Sequence, residues 1–185
     1  MSVIVVVKDG RRVCMACDSQ ASVNSSRAFL EAPKIVRSGP LVIGADGTIA
    51  IVSFVRHVWV QAPEWPQHVP LARWVQNEFS PALRHWLKEN DHLETRDGRT
   101  DFPGSALIAL KGEFVHLDSG GNVAELQVPF WAIGSGAPEA LGAMWAHRNT
   151  STTHRPGIAN TAQIGVEAAI ALDPHCGGKI VVEWT

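Results

Sequence analysis

Residues 1–34 read MSVIVVVKDG RRVCMACDSQ ASVNSSRAFL EAPK, and this stretch indicates the fold more clearly than any other part of the chain. Two runs rich in β-forming residues, 2–8 and 11–17, flank the dipeptide Asp9-Gly10. Asp-Gly between such runs is the strongest short-range signal for a β-hairpin. The sequence therefore predicts that the chain opens with two antiparallel strands.

Three polar residues lie where this arrangement brings them together. The hairpin places Asp18, at the end of the second strand, beside Ser2 at the start of the first. A third strand over 32–37 is predicted to carry Lys34 into the same neighbourhood. Removal of Met1 would leave Ser2 with a free α-amine, which is one recognised base for activating a hydroxyl nucleophile. We expect the loss of that one methionine to be sufficient for maturation.

The segments 18–20 and 33–37, together with Ser2, resemble the proteasome β-subunit family of N-terminal-nucleophile hydrolases, including its bacterial HslV-type members. In that family the mature chain begins with a nucleophilic Thr, followed sixteen residues later by an Asp and thirty-two residues later by a Lys. Asp18 and Lys34 stand at the same distances from Ser2, so the resemblance implies catalytic roles for all three residues. The departure is a Ser in the place of the Thr.

Two later segments extend this resemblance. The run 132–136, Ala-Ile-Gly-Ser-Gly, is similar to a family element whose Ser lies close to the N-terminal amine, and Ser135 is the match. Near the C-terminus the family has an Asp, two further residues, a Ser and then Gly-Gly, and Asp173 matches that Asp. Cys176 replaces the Ser, and a thiol donates only a weak hydrogen bond. A reactive thiol at Cys176, beside His175, is the competing interpretation.

A candidate oxyanion hole lies between these segments. A strand over 40–47 is predicted to run through a glycine-bearing bend into a helix over 48–61. Such a junction presents unpaired backbone N–H groups at the positive end of a helix dipole, as an oxyanion hole requires. The resemblance assigns this donor to Gly47, with Gly44 as the alternative because the loop is slightly shorter than in the family.

The predicted elements come in separate runs of strands and helices, which is typical of an α+β fold. Further helices are predicted over 71–89, 137–147 and 161–172, with Pro81 kinking or splitting the first and Asn160 capping the last. Further strands are predicted over 105–110, 113–117, 123–128, 130–133 and 179–184, and a solvated loop over 91–102. The resemblance implies a four-layer αββα sandwich that forms one domain over 1–185.

Composition argues against several classes of protein. The 185 residues are 45% hydrophobic and 18% charged, with a formal charge of −2 and no basic block, so no nucleic-acid partner is expected. No signal segment and no membrane-length apolar run occur, and we expect a cytoplasmic protein. Cys14, Cys17 and Cys176 form neither a disulfide framework nor a metal-ligand pattern, because Cys14 and Cys17 should point to opposite faces of one strand. No cofactor or metal is expected.

The resemblance implies a threonine-type peptidase that cleaves protein or peptide substrates inside a homo-oligomeric ring. The resemblance is also compatible with an ATP-dependent unfoldase as a further partner. The helix faces around Trp59, Trp74 and Trp86 are expected to belong to the core or to contribute to subunit contacts. Two alternatives stay open. The chain could be a catalytically inactive ring subunit that retains Met1, or an N-terminal-nucleophile hydrolase of a small amide.

Overall fold

The computed structural model describes residues 2–23, 26–59, 65–66, 68–96, 98–150 and 157–185. The predicted end of the helix over 48–61 lies outside these residues. Strands and helices follow one another in this order: β1 Ile4–Lys8, β2 Val13–Cys17, β3 Gln20–Val23, β4 Ser26–Phe29, β5 Ile35–Ser38, β6 Leu41–Ala45, α1 Ile49–Ser53, α2 Leu71–Trp74, α3 Ser80–Glu89, β7 Glu94–Arg96, β8 Arg99–Asp101, β9 Ala106–Leu110, β10 Glu113–Leu117, β11 Val123–Glu125, β12 Phe130–Ile133, α4 Ala137–Thr150, α5 Ile158–Leu172 and β13 Val181–Trp184.

Two antiparallel sheets form the centre of the domain. The first has the strand order β12-β1-β2-β13, and the second has the order β11-β10-β9-β6-β5. The opening hairpin is confirmed, with Ile4 opposite Cys17 and Lys8 opposite Val13. Because Lys8 and Val13 close the ladder, the loop between the strands is residues 9–12, longer than the two-residue turn that Asp-Gly typically forms.

The side chains of β1 explain why the sheets are layered. Successive side chains of a strand point to opposite faces, and here both faces are buried. Val3, Val5 and Val7 belong to the core between the first sheet and helices α4 and α5. Ile4 and Val6 belong to the core between the two sheets. A third core packs the other face of the second sheet against α1, α2 and α3, which gives four layers in the order α, β, β, α.

The predicted four-layer α+β architecture is therefore confirmed. The same alternation separates the two cysteines of β2. Cys14 packs under the helices and Cys17 packs between the sheets, as the strand geometry predicted. All three cysteines are free thiols.

The helices of the third core contain π-helical turns. Residues Phe54–Val58 continue α1 in this form, and Val75–Phe79 join α2 to α3. Pro81 lies in the first turn of α3. Because proline has no N–H to donate and its ring crowds the preceding turn, a widened turn just before it lets the helix continue. The helix predicted over 71–89 is thus continuous, and Pro81 alters its hydrogen bonding without ending it.

Several boundaries differ from the predictions. The third predicted strand begins at Ile35 instead of residue 32, so Lys34 lies just before it. Helix α5 begins at Ile158, and Gly157 instead of Asn160 occupies the capping position. Helix α4 extends to Thr150, beyond the predicted end at residue 147.

Two stretches carry strands that the sequence did not predict. Strands β3 and β4 pair as a hairpin between the opening strands and Lys34. Strands β7 and β8 pair within the stretch 91–102, which was predicted to be a loop. Each hairpin forms its own two-stranded sheet at the margin of the sandwich.

The tryptophans of the third core pack inward. The rings of Trp59, Trp74 and Trp86 lie among those of Phe54 and Phe79, with neighbouring centroids 5.5–6.4 Å apart. Trp74 is buried in this core, whereas Trp59 and Trp86 are only partly buried against it, so the predicted alternative of a core role holds for Trp74. Among the residues that the structure describes, no helix is long and apolar enough to cross a membrane.

Candidate active site

Asp18 is the centre of the candidate site and is completely buried. Its Oδ1 accepts hydrogen bonds from the Val3 N–H at 3.1 Å and from Lys34 Nζ at 2.6 Å. Its Oδ2 accepts from the N–H groups of Gln20 at 3.1 Å and Gly177 at 3.0 Å. Asp18 therefore joins β1, the end of β2, the segment before β5 and the C-terminal turn.

Lys34 forms a buried ion pair with Asp18. Its side chain retains only 6% of its exposure, and that of Asp18 retains none. Burying two opposite charges is expensive unless they are paired at good geometry, and this pair meets that condition. The pair places one fixed positive charge in the wall of the site.

The glycines that follow Cys176 hold the back of Asp18. The carbonyl of Gly177 accepts hydrogen bonds from the N–H groups of Ser19 at 3.1 Å and Gln20 at 3.0 Å, while its own N–H reaches Asp18. A Cβ on Gly177 would collide with the side chain of Gln20. A Cβ on Gly178, where φ is +80°, would likewise meet the side chains of Ser19 and Phe29, so both glycines make room for neighbouring side chains.

Ser2 lies at the start of β1, where it is held by the segment after β12. Its carbonyl accepts from the N–H of Gly136 at 3.3 Å and is 3.5 Å from Ser135 Oγ. Gly134 has φ of +96°, and a Cβ there would lie 2.8 Å from the carbonyl carbon of Ser2. Only glycine allows the approach, so the Gly-Ser-Gly run positions Ser2 through its backbone.

Ser135 links Ser2 to a second carboxylate, that of Asp173. Burial works to raise the pKa of Asp173, but hydrogen bonds from Ser135 Oγ, the His175 N–H and Cys176 Sγ outweigh burial and hold that pKa below its ordinary value. Ser135 Oγ also lies 3.5 Å from the Ser2 carbonyl oxygen, so its single proton can be donated either to that carbonyl or to the Asp173 carboxylate.

Cys176 takes part in this group as a neutral donor. Its thiol is 3.5 Å from Asp173 Oδ2, and burial raises its pKa to about 12. A thiol with that pKa holds almost no thiolate at neutral pH, and the thiolate is the nucleophilic form. The structure therefore disfavours the competing interpretation of Cys176 as a reactive thiol.

Gly47 presents an unpaired N–H to the same region. It follows β6 and precedes the N-cap Thr48, whose hydroxyl accepts from the Ala50 N–H at 3.4 Å. Within the described part of the chain, the Gly47 N–H has no acceptor among protein atoms. The alternative donor, Gly44, is paired inside the second sheet between Ile35 and Leu107 and packs against the first sheet. Gly47 is therefore the better candidate for the oxyanion donor.

Ser2, Lys34 and Gly47 line one cavity of about 340 Å³. One wall comes from the β3–β4 hairpin and the residue that follows it, and the opposite wall from the start of α1; the other lining residues are Gln20, Ala21, Ser22, Leu30, Ala45, Thr48, Ile49 and Val52. A larger open cleft of about 780 Å³ lies at the other end of β1, around Lys8 and Phe114. That cleft contains none of the predicted site residues, so its size does not make it the candidate site.

The structure brings together the residues that the sequence singled out, and their catalytic roles stay predictions. The sequence missed the β3–β4 hairpin as a wall of the cavity, and it missed the side chain of Gln20, whose Nε2 donates to the Pro174 carbonyl at 3.1 Å. The polar run 18–20 was the signal that could have indicated a buried turn. Among the described residues, no group of three His, Cys, Asp or Glu side chains could hold a metal ion. Met1 lies outside the described residues.

Comparisons with known proteins agree with this arrangement at the level of the fold. No protein-family model matches the chain, and no curated protein sequence matches it. Among solved structures, BPH (bacterial proteasome homologue) from Thiobacillus denitrificans is 24% identical, with a TM-score of 0.81 over 99% of this chain and 97% of that one. The same protein in complex with epoxomicin aligns with a TM-score of 0.81 at 22% identity, over 99% and 97% of the two chains.

Eukaryotic HslV from Trypanosoma brucei is 22% identical, with a TM-score of 0.69 over 98% of each chain. At these identities the similarity is one of fold. The chain has the N-terminal-nucleophile fold of these proteasome-type proteins along almost its whole length.

Proposed function

We propose that this chain is a proteasome-like peptidase of the threonine type, in which Ser2 is the nucleophile once Met1 has been removed. One observation carries the proposal. Ser2 begins a strand beside the buried Lys34–Asp18 pair and shares a cavity with the unpaired N–H of Gly47. A nucleophile, a fixed cation and an oxyanion donor around one space are the groups that acyl transfer requires.

In the proposed reaction Ser2 Oγ attacks the carbonyl carbon of a peptide bond. The α-amine of Ser2 accepts the hydroxyl proton, directly or through a water molecule, and later gives a proton to the leaving amine. The peptide C–N bond breaks, which leaves an ester between Ser2 and the acyl half of the substrate. Water, deprotonated by the same amine, then hydrolyses the ester and restores the hydroxyl.

Lys34 and Gly47 have different parts in this reaction. The positive charge of Lys34 disfavours the ammonium form of the Ser2 α-amine and so keeps the neutral amine available as a base. The Gly47 N–H donates to the oxyanion that forms on the substrate carbonyl, an interaction typically worth roughly 3 kcal/mol in the transition state. In this proposal Ser135 and Asp173 orient the amine, and the 3.5 Å approach of Ser135 Oγ to the Ser2 carbonyl supports that role.

The proposal extends to assembly and substrates. The structural similarity to BPH and HslV supports a homo-oligomeric ring whose cavities face an enclosed space, and an ATP-dependent unfoldase would then supply unfolded protein substrates. The BPH complex with epoxomicin shows a ligand of that protein, which makes epoxomicin a suitable probe of this chain. We further propose that the protein acts in the cytoplasm.

Fluorogenic peptides test the activity directly. Ser2→Ala should abolish hydrolysis, because the hydroxyl is small and contributes chemistry with little packing, and Ser2→Thr should be tolerated. Ser22→Ala is the matched control, since Ser22 is an exposed serine in the same cavity. Undiminished cleavage by Ser2→Ala would refute the proposed nucleophile.

A further inference from the structure

The donor segment around Gly47 lies directly against a second loop, residues 103–105, just before β9. The N–H of Asp46 donates to the Ser105 carbonyl at 3.0 Å, and the N–H of Thr48 donates to the Pro103 carbonyl at 3.0 Å. The β6–β9 ladder ends with Ala45 opposite Ala106. The two loops therefore continue the pairing of these strands past the end of the sheet, and Gly47 lies between the two bonds.

Glycines allow the two loops to touch. A Cβ on Gly47 would lie 2.6 Å from the Cα of Gly104 and would collide with the Pro103 carbonyl. A Cβ on Gly104 would in turn lie 2.9 Å from the carbonyl carbon of Asp46. Because Gly47 also has φ of +82°, the direction of its N–H depends on this backbone contact.

One side-chain contact holds the loops together. Asp46 Oδ1 accepts two hydrogen bonds from Ser105, one from its N–H at 2.7 Å and one from its Oγ at 2.8 Å. Both residues are partly buried. A carboxylate that accepts two hydrogen bonds from a single residue fixes the orientation of that residue as well as its distance. No group of the catalytic site described above takes part in this contact.

We propose that Asp46 and Ser105 are positioning residues for the oxyanion donor, and that they act by holding loop 103–105 under the Gly47 peptide. The inference rests on the proposed function. An oxyanion donor lowers the barrier only if it lies about 2.7–3.1 Å from the position that the charged oxygen will occupy. A loosened Gly47 would therefore bind substrate normally and stabilise the transition state poorly.

Three variants and one control test this. Asp46→Ala removes the acceptor, Ser105→Ala removes one of the two donors, and Asp46→Asn keeps an oxygen that can accept both bonds. The matched control is Asp118→Ala, because Asp118 Oδ1 likewise accepts from the N–H and Nδ2 of one residue, Asn122, in the turn between β10 and β11.

We expect Asp46→Ala to lower kcat by about tenfold with little change in KM, since the complete loss of an oxyanion donor costs about 100- to 1,000-fold. Ser105→Ala should lower kcat by less than Asp46→Ala does. Asp46→Asn should keep most of the wild-type kcat, and Asp118→Ala should leave kcat unchanged. The affinity for a peptide aldehyde, which forms a tetrahedral adduct, should fall together with kcat. Equal kcat values in wild type and Asp46→Ala would overturn the inference and leave the proposed function intact.

Hydrogen exchange supplies a readout that does not depend on activity. The hydrogen-bonded amides of Asp46 and Thr48 should exchange faster in Asp46→Ala than in wild type, and should not change in Asp118→Ala. Unchanged exchange in Asp46→Ala would contradict the positioning role even if the rate fell. A wild-type protein without peptidase activity would instead refute the proposed function and, with it, the catalytic part of this inference.

Discussion

Asp18 is the residue on which most of the site depends, because its carboxylate joins four separate segments. Three of its partners are backbone N–H groups, those of Val3, Gln20 and Gly177. Spacing along the chain predicted its proximity to Ser2 and Lys34, since the register of a hairpin follows from its sequence. The contact with Gly177 could not be predicted in the same way, because it joins residues far apart in the chain.

The first prediction concerns Lys34→Met. Peptide hydrolysis should be lost, because the fixed positive charge beside Ser2 disappears. Breaking a buried ion pair commonly costs about 3–5 kcal/mol, and we expect the lower end of that range because three N–H groups still bind Asp18. Urea denaturation measures this decrease in the free energy of unfolding.

Arg37→Met, in β5, is the control for that experiment. Arg37 forms an exposed ion pair with Glu183 at 3.3 Å, and such pairs are worth about 0.2–1 kcal/mol. Adding Asp18→Leu to Lys34→Met should not restore stability, since the buried N–H groups of Val3 and Gly177 would then lack an acceptor at roughly 1–3 kcal/mol each. Recovery in that double variant would contradict the network described for Asp18.

The second prediction concerns the thiols. Burial raises the pKa of Cys14, Cys17 and Cys176 to about 12 each. At pH 8 each is four pH units below its pKa, so roughly one molecule in ten thousand carries the thiolate. The native protein should therefore react very slowly with Ellman's reagent at pH 8, and denaturation should release all three thiols. Rapid reaction of one thiol in the native protein would revive the alternative nucleophile, Cys176 before the others.

Among the secondary-structure elements, those with both faces buried were the most predictable. Strands β1, β2, β6 and β9 are runs of apolar residues, and their positions in the sequence agree with the structure closely. Hairpins β3–β4 and β7–β8 were not predicted because they lie at the margin, where exposed residues such as Ser26 and Arg27 give no alternation of apolar and polar side chains. Because the first of these hairpins lines the cavity, one wall of the site was missed with it.

The third prediction concerns the segment after β12. Gly134→Ala should destabilise the protein strongly and abolish activity, because the new Cβ would displace the Ser2 carbonyl. Gly10→Ala is the matched control, since Gly10 has nearly the same φ, +95°, with no atom within 4 Å of the added Cβ. The control should lose only about 1–2 kcal/mol of unfolding free energy, from the strain of an alanine in the left-handed region, and should stay active. Equal losses in the two variants would mean that Gly134 is required for its backbone angle alone.

The molecule as a whole exposes apolar side chains that a single domain does not need. The largest are Phe29 at 63%, Trp145 at 63% and Leu172 at 71% exposed, whereas Trp74 is buried and Trp59 and Trp86 are partly buried against the same core. Helical periodicity could not predict which tryptophans stay exposed, because buried and exposed tryptophans alike lie on helices with apolar neighbours. Single exposed apolar side chains are common on monomers, so these three indicate a partner surface only where they adjoin one another.

The fourth prediction is that the protein forms a closed homo-oligomer. Sedimentation at micromolar concentration should show a species several times the mass of the 20.0 kDa chain. Closed symmetry is expected because identical subunits that bury the same surfaces form rings or their stacked pairs. A monomer alone would exclude proteolysis inside a ring and would favour the hydrolysis of small amides.

The central claim is that Ser2 becomes the N-terminal nucleophile, and the mass of the intact protein after treatment with epoxomicin tests it most directly. We predict a chain that lacks Met1 and carries one epoxomicin adduct on Ser2, and no adduct on the Ser2→Ala variant. An epoxyketone offers electrophilic carbons to both the hydroxyl and the amine of one residue, so the adduct reports both groups together. A chain that retains Met1 and carries no adduct would contradict the account and favour an inactive ring subunit of the same fold.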